Sequence, residues 1–172
     1  AESLKGKTSE LKTAWISSGG NFVGQLKSNS SRYPSEKAGL VEFAEGIRGI
    51  AGEVFDSKIQ STLDGLDISL NAGLQNEESR FSANTKTDFT NNINSILFVY
   101  LGRYNSLGTA KGLSTVVSSK NKDLDVKIQL QIAEAITAIK TIGGSASTTY
   151  SQALATDRAS IETAQAKVQA LE

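Results

Sequence analysis

Apolar residues recur about every 3.5 to 3.6 positions along almost the whole chain, and runs that alternate with period two are rare. The pattern predicts helices throughout. A first helix is expected over residues 2–27, with Leu4, Leu11, Trp15, Phe22 and Leu26 inward and "SSGGN" (17–21) weakening its middle. "SNSSRYPSE" (28–36) reads as a loop, with Ser35 as the N-cap of the next helix just after Pro34. That second helix, 36–64, carries Leu40, Phe43, Ile47, Ile50, Val54 and Ile59 on one stripe. Gly39, Gly46, Gly49 and Gly52 interrupt it, either for close approach of another helix or because they lie on an exposed face.

A third helix is expected from 86, opened by a capping-box pair Thr85–Asp88 and carrying Phe89, Ile93, Ile96, Leu97, Tyr100 and Leu101 inward until "GRYNSLG" ends it. A short helix follows over 110–119, with Leu113, Val116 and Val117. The fifth, 122–142, turns Leu124, Ile128, Ile132, Ala135, Ile136 and Ile139 inward and stops at Gly143–Gly144. The last, 147–171, buries Tyr150, Leu154, Ile161, Ala164, Val168 and Leu171. Four long helices plus short ones, joined by polar loops, predict an all-α, up-and-down helical bundle in a single domain.

The connection 65–86 breaks the pattern. It reads as a long polar loop, a kind usually functional or disordered, and its Leu66, Ile68, Leu70, Leu74 and Phe81 are expected to pack it down. Free N–H groups near 86–88 could receive an anion, or Thr85 and Asp88 could satisfy them. Asp67, Ser69, Asn71 and Glu78 have the spacing of calcium-loop ligands, but Ala72 stands where the turn needs glycine, so the match is read as chance. Ser9–Lys12 and Ser119–Lys122 have Ser-x-x-Lys spacing without any supporting motif. Glu77 and Glu78 are expected to diverge on a solvated face, and Trp15 and the tyrosines to be packing groups.

Composition removes whole classes of chemistry. The chain has 172 residues, no His and no Cys. It therefore lacks the imidazole and thiolate on which the usual zinc, copper, haem and iron–sulfur sites depend, and the partners for a Ser–His–Asp or Cys–His pair. Lys+Arg and Asp+Glu balance at 18 each, and no basic stripe carries interleaved aromatics, which argues against nucleic-acid binding. No apolar run reaches the roughly 18 residues of a membrane span, and the first residues, "AESLKGKTSELKTAW", have no apolar signal core.

The stretch "EESRFSANTKTDFTNNINSILFVYLGRY" (77–104) resembles the imelysin family of bacterial extracytoplasmic helical proteins. The family pattern there is approximately Glu-Ser-x-Phe/Tyr-Ser-x-x-Ser/Thr-x-x-Asp-Phe, then Asn-Ile-x-Ser-Ile, then Val-Tyr-Leu-Gly. This chain supplies Glu78, Ser79, Phe81, Ser82, Thr85, Asp88 and Phe89, then Asn92, Ile93, Ser95 and Ile96, then Val99 to Gly102. "LKTAWISSGGNF", "GIAGEVFDSKIQSTL" (through Glu53, Val54 and Lys58), "NKDLDVKIQLQIAEAITAIKTI" and "YSQALATDRASIETAQAKVQAL" resemble the family's other helices in order.

The resemblance implies an all-helical fold, a periplasmic or cell-surface location, and an association with iron uptake or a peptidase-like activity. It covers what looks like the C-terminal half of such a protein. The family's Gly-x-His-x-x-Glu signature lies in an N-terminal half that this His-free chain does not contain, so iron or another divalent metal would be held only with that half present. The resemblance also implies that the polar groups of the 77–88 entry face the other half, which makes Glu78, Ser79, Ser82 and Asp88 the candidate partner- or ligand-binding residues, with Tyr100 and Arg103 as further candidates at the far end of the helix. Ser82, Thr85 and Asp88 could instead only cap and staple the loop. Three functions follow: a ligand- or partner-binding module in bacterial metal uptake, whose partner is the N-terminal half or another surface or periplasmic protein; the non-catalytic half of a metallopeptidase; or a structural helical surface module.

Overall fold

Helices account for nearly every ordered turn of the chain in the computed structural model, which describes residues 2–26, 30–104 and 111–172. Ten α-helices follow in order: α1 (Glu2–Trp15), α2 (Phe22–Gln25), α3 (Glu36–Gly52), α4 (Gln60–Ile68), α5 (Leu70–Gln75), α6 (Thr85–Leu101), α7 (Leu113–Lys120), α8 (Lys122–Lys140), α9 (Tyr150–Thr156) and α10 (Arg158–Gln169). The fold is all-α, and among the described residues no β-strand forms. The chain divides into two compact units, Ala1–Glu45 and Gly46–Glu172.

In the first unit the glycine pair ends α1 instead of merely weakening it. The Gly19 and Asn21 amides turn back to the Ile16 carbonyl (3.0 Å each) and Gly20 to Thr13 (2.9 Å). A Cβ on Gly19 would stand 2.2 Å from the Thr13 carbonyl oxygen, so the reversal needs glycine there. The expected 2–27 helix is thus two helices. Its expected inward face is also wrong: none of α1 is buried, with Leu4 70% and Leu11 62% exposed. Trp15 instead meets Phe22 edge-on at 4.9 Å. Ser35 caps α3 as expected, accepting from the Ala38 amide. Leu40 and Phe43, expected inward, are 37% and 39% exposed.

In the second unit α8 packs against α6, α7 and α10, and α10 packs against the stretch that joins α3 to α4. That stretch, Glu53–Ile59, is a π-helix. The Gln60 amide reaches five residues back to the Phe55 carbonyl, and Gln165 of α10 donates to the same carbonyl at 3.1 Å. One extra residue per turn brings Val54 and Ile59, five apart, onto the same buried face. The core around them holds Phe89, Ile93, Ile132, Ile139, Tyr150, Ile161 and Val168, each burial worth about 1.5–3 kcal/mol for the large side chains. Phe89 meets Tyr150 edge-on at 5.6 Å, and the Tyr150 hydroxyl bonds with that of Thr62 at 2.8 Å. Burial raises the Tyr150 pKa well above the free phenol.

Further expectations are corrected here. The expected loop 65–86 is mostly helical: α4 runs on to Ile68, Ser69 caps α5 by accepting from the Ala72 amide, and α4 and α5 cross closely. Of the four glycines read either for close approach or as an exposed face, Gly46 and Gly49 fit the exposed face, since a Cβ there would meet nothing within 4 Å; the close crossing is at Gly65, where a Cβ would stand 2.8 Å from Ala72 backbone atoms. The expected 147–171 helix is broken at Asp157, whose carboxylate accepts from the Ser160 amide and starts α10. Leu124, expected inward on α8, is 44% exposed. The Gly143–Gly144 stop holds, both residues having positive φ. Of the loops read from the sequence, residues 28–29, the 105–108 part of "GRYNSLG" and the start of the 110–119 helix lie outside the described residues.

Candidate functional site

The turn between α5 and α6 is built on a buried carboxylate. Asn76 ends α5 and donates to the Ser61 carbonyl (2.7 Å), which delivers the next residue, Glu77, to the interior. Glu77 is only 7% exposed, contrary to the expected solvated face. Its two oxygens accept from the hydroxyls of Thr85 (2.8 Å) and Ser151 (2.5 Å). Thr85 also lies against the Glu78 carbonyl, so it staples both ends of the turn. The capping box expected from Thr85 and Asp88 does not form: Thr85 is already inside α6, and Asn84 stands at the cap without a side-chain bond.

Between these anchors the backbone is strained. Ser79 (φ 58°) and Ala83 (φ 55°) both adopt the left-handed conformation around a single 3₁₀ turn, Arg80–Ser82. Each costs about 1 kcal/mol in a residue with a Cβ. The Ser79 carbonyl accepts from the Ser82 amide (3.2 Å) and hydroxyl (3.0 Å) and from the Asn84 amide (3.4 Å). The geometry thrusts Phe81 outward, 100% exposed, with the Arg80 guanidinium 5.7 Å from its ring centre. A shallow cavity of about 380 Å³ opens here, lined by Leu74, Gln75, Glu77, Ser79, Arg80, Phe81 and Ser82. The expectation that Phe81 packs the connection down is therefore wrong; so is that for Ile68 (82% exposed) and Leu70 (41%), while Leu66 and Leu74 do lie against the core.

Glu78 points the other way, onto the π-helix. Lys58 Nζ lies 3.1 Å from the Glu78 carboxylate and 3.4 Å from that of Glu53. Glu53 and Lys58 are five residues apart, a spacing that diverges on an α-helix and converges on a π-helix. With its amide oxygen toward Lys58 (3.0 Å), Asn92 of α6 also donates to the Asp88 carbonyl (3.2 Å). A lysine held between two carboxylates and an amide joins the π-helix, the turn and α6.

A second anchor fixes the start of α6. Lys86 Nζ donates to three backbone carbonyls of the α8–α9 connection: Ile142 (2.7 Å), Ser145 (2.8 Å) and Thr148 (2.9 Å). Burial pulls its pKa below the free-lysine range, while the three oxygens favour the charged form.

Of the residues expected to form the site, Glu78, Ser79 and Ser82 share the turn, and half-buried Asp88 follows on the first turns of α6. Tyr100 and Arg103 are not with them. Twelve residues of helix separate Asp88 from Tyr100, about 18 Å. Tyr100 is buried, and its hydroxyl donates to Asp125 (2.8 Å), which also accepts from Ser114 (2.7 Å) and Gln129 (2.9 Å). The Ser114 and Tyr100 hydroxyls hold the Asp125 carboxyl below the usual carboxylate range; burial first, then Asp125, raises the Tyr100 pKa. Arg103 lies exposed just past the left-handed Gly102 that ends α6.

Sequence reasoning missed Glu77, Lys86 and the role of Lys58. One signal was available: the helical stripe steps 3, 4, 3, 4 from Leu40 to Val54 and then 5 to Ile59, which marks the π-helix. Among the described residues no three His, Cys, Asp or Glu side chains gather where they could hold a metal ion. The carboxylates of Glu53 and Glu78 already face an ammonium, and a hard cation needs six or more oxygens. The site can present and dock; its groups do not fit a resident metal. Among the described residues no helix is long and apolar enough to cross a membrane.

The crystal structure of an imelysin peptidase from Bacteroides ovatus is similar to this chain, with a TM-score of 0.87 and 28% identity over 98% of this chain and 47% of that one. A candidate iron-regulated protein A precursor from Parabacteroides distasonis is also similar, with a TM-score of 0.65 and 25% identity over 84% of this chain and 46% of that one. The chain thus spans about half the length of these solved relatives. No curated protein matches it. The family model for imelysin matches residues 1–172, and the chain belongs to the imelysin family.

Proposed function

We propose that this chain is a partner- or ligand-binding module of an extracytoplasmic, imelysin-type protein in bacterial iron or other divalent-metal uptake. Its docking face is the 77–88 turn, with Glu78, Ser79, Ser82 and Asp88 as polar contacts and Phe81 as the apolar one. The observation that carries this reading is Phe81: two left-handed residues hold a whole aromatic ring in solvent beside a cavity. Strain of this kind persists where the surroundings impose it and clusters at ligand clamps. The iron-regulated name of one solved relative supports the link to iron, and its description as a precursor supports export from the cytoplasm. Any metal ligands would come from the N-terminal half, the natural partner on this reading.

The test is titration calorimetry with ferric citrate and with haem, on the chain alone and mixed with an imelysin N-terminal half bearing Gly-x-His-x-x-Glu. Binding is expected in the mixture, weakened at least tenfold by Phe81→Ala, with the melting temperature of Phe81→Ala unchanged. Absence of binding to iron, haem and the N-terminal half alike refutes the reading. A second reading, the non-catalytic half of a metallopeptidase, draws on the other relative, an imelysin peptidase. Chelator-sensitive peptide hydrolysis by the same mixture would favour it.

A further inference from the structure

The amides that open α6 are left without a cap. Asn84 stands at the cap position with no side-chain bond, and the first backbone bond into the helix runs from the Asp88 amide to the Asn84 carbonyl (2.9 Å). The amides of Lys86 and Thr87 therefore remain open donors at the positive end of a 17-residue helix.

The side chains beside this helix end form a cavity. Lys86, Thr87 and Thr90 fall within about 100° on one flank of α6. With Lys140 and Ala146 they line a space of about 300 Å³. Thr90 is only 7% exposed, and its hydroxyl has no partner among the described residues. Every fully buried side-chain oxygen among those residues does have one. The Thr90 oxygen must then reach open space, and the space that Thr90 borders is this cavity. A helical threonine often turns its hydroxyl back to the carbonyl four residues earlier, as Thr137 and Thr163 do. Thr90 does not, and its donor stays available.

The charge around the cavity is one-sided, since no carboxylate lines it. Lys86 is held by three backbone carbonyls, which are neutral, so its charge has no counter-ion there. Lys140, exposed at the end of α8, makes no ion pair among the described residues. Asp88 lies about 200° around α6 from Lys86, and Glu77 is bonded to the Thr85 and Ser151 hydroxyls. Two cations, a hydroxyl and free helix amides suit a small dianion with several acceptor oxygens. A carboxylate carries one charge and two oxygens, whereas a phosphate group carries about two charges and three strong acceptors.

We propose that this cavity binds a phosphate group, free or on a small organic molecule. The Lys140 ammonium, the Thr90 hydroxyl and the amides opening α6 hold it, and Lys86 adds its charge from within the carbonyl cage. None of the side chains of the proposed docking face (Glu78, Ser79, Phe81, Ser82 and Asp88) takes part, so either site can fail alone.

The test is titration calorimetry of inorganic phosphate and of glycerol 3-phosphate into the purified chain at constant ionic strength, with amide shifts followed by NMR. Saturable one-to-one binding is expected, the Lys86, Thr87 and Thr90 amides moving most. Lys86 is kept, because removing it loosens the fold. Lys140→Gln is expected to weaken binding about tenfold and Thr90→Val about fivefold, while Lys127→Gln, exposed elsewhere on α8, leaves it unchanged. Phe81→Ala is expected to bind phosphate as the parent does. Binding of glycerol 3-phosphate assigns the site to a phosphoryl group on an organic molecule, and binding of phosphate alone assigns it to the free ion. Absence of saturable binding by either ligand overturns the proposal. So does equal weakening by Lys140→Gln and Lys127→Gln, or an unchanged affinity in Thr90→Val.

Discussion

Replacing Lys86 with methionine keeps the length of the side chain and removes its charge and donors. The ammonium holds three carbonyls of the α8–α9 connection, but these are not equally dry. Ile142 is buried, so water does not readily replace the lost partner of its carbonyl, a loss of about 2 kcal/mol. Ser145 is exposed and Thr148 half-buried, so their carbonyls can turn to water at about 0.5 kcal/mol each. The expected loss is about 3 kcal/mol, or a fall in melting temperature of about 6–12 °C for a protein of this size. Urea unfolding followed by circular dichroism measures it, with Lys120→Met as the control because Lys120 is exposed at the end of α7. The control is expected within about 0.5 kcal/mol of the parent. With methionine at 86, the start of α6 and the turn before it should also exchange amide protons faster than the rest of the core. A loss below about 1 kcal/mol, or one equal to the control, would refute the view that this cage anchors the turn.

Glu77→Ala takes a hydrogen-bond partner from the buried Thr85 and the half-buried Ser151 hydroxyls and is expected to cost about 2–3 kcal/mol in urea unfolding, whereas the same change at exposed Glu78 costs under about 1 kcal/mol. Gly65→Ala drives a Cβ to 2.8 Å from the Ala72 backbone and should destabilise by about 2 kcal/mol or more; Gly46→Ala, with nothing within 4 Å, should stabilise by about 0.5–1 kcal/mol, both read from the shift in denaturation midpoint. For Asp125 the folded pKa lies below the unfolded value of 3.8, so its contribution is complete above that pH and is lost as pH falls through the folded value. The urea midpoint of the parent should therefore drop more steeply below about pH 4 than that of Asp125→Asn; parallel acid limbs would contradict this.

The sequence states helix content and many of the core positions because both depend on periodicity, a local property. Phe89, Ile93, Ile132, Ile139, Ile161 and Val168 are all buried where the 3.6-residue pattern puts them. The failures have non-local causes. Leu4, Leu11 and Leu124 repeat with the right spacing, but a stripe says only that a face is apolar and not that anything covers it. Glu77 is read as solvated because its two partners lie 8 and 74 positions away, and only the fold brings Thr85 and Ser151 to its oxygens. Lys86 bonds to backbone carbonyls, which carry no side-chain signature at all. Glu78, Ser79 and Ser82 were reachable through the family pattern in 77–104, whereas Lys58 joins them only because a π-helix turns it toward Glu78.

A single mechanical idea connects these residues. Two left-handed residues cost about 2 kcal/mol together, and an exposed turn would relax unless its ends were held more strongly than that. Here each end is held by a group of a different kind. Glu77 and Thr85 close the base of the turn inside the protein, Lys86 ties the start of α6 to the α8–α9 connection, and Lys58 pulls Glu78 toward the π-helix. The π-helix is itself less favourable than an α-helix, and it is the element that lets Glu53 and Lys58 converge and Val54 and Ile59 share one buried face. Two unfavourable backbone features thus meet at one ion pair, Lys58–Glu78, and Phe81 stands three residues beyond it in solvent. A regular helix in place of the π-helix would turn Val54 and Ile59 to different faces and carry Lys58 away from Glu78, so the core and the turn depend on the same irregular element. The joint presence of the π-helix and the left-handed turn supports the docking role proposed for the outward-facing turn.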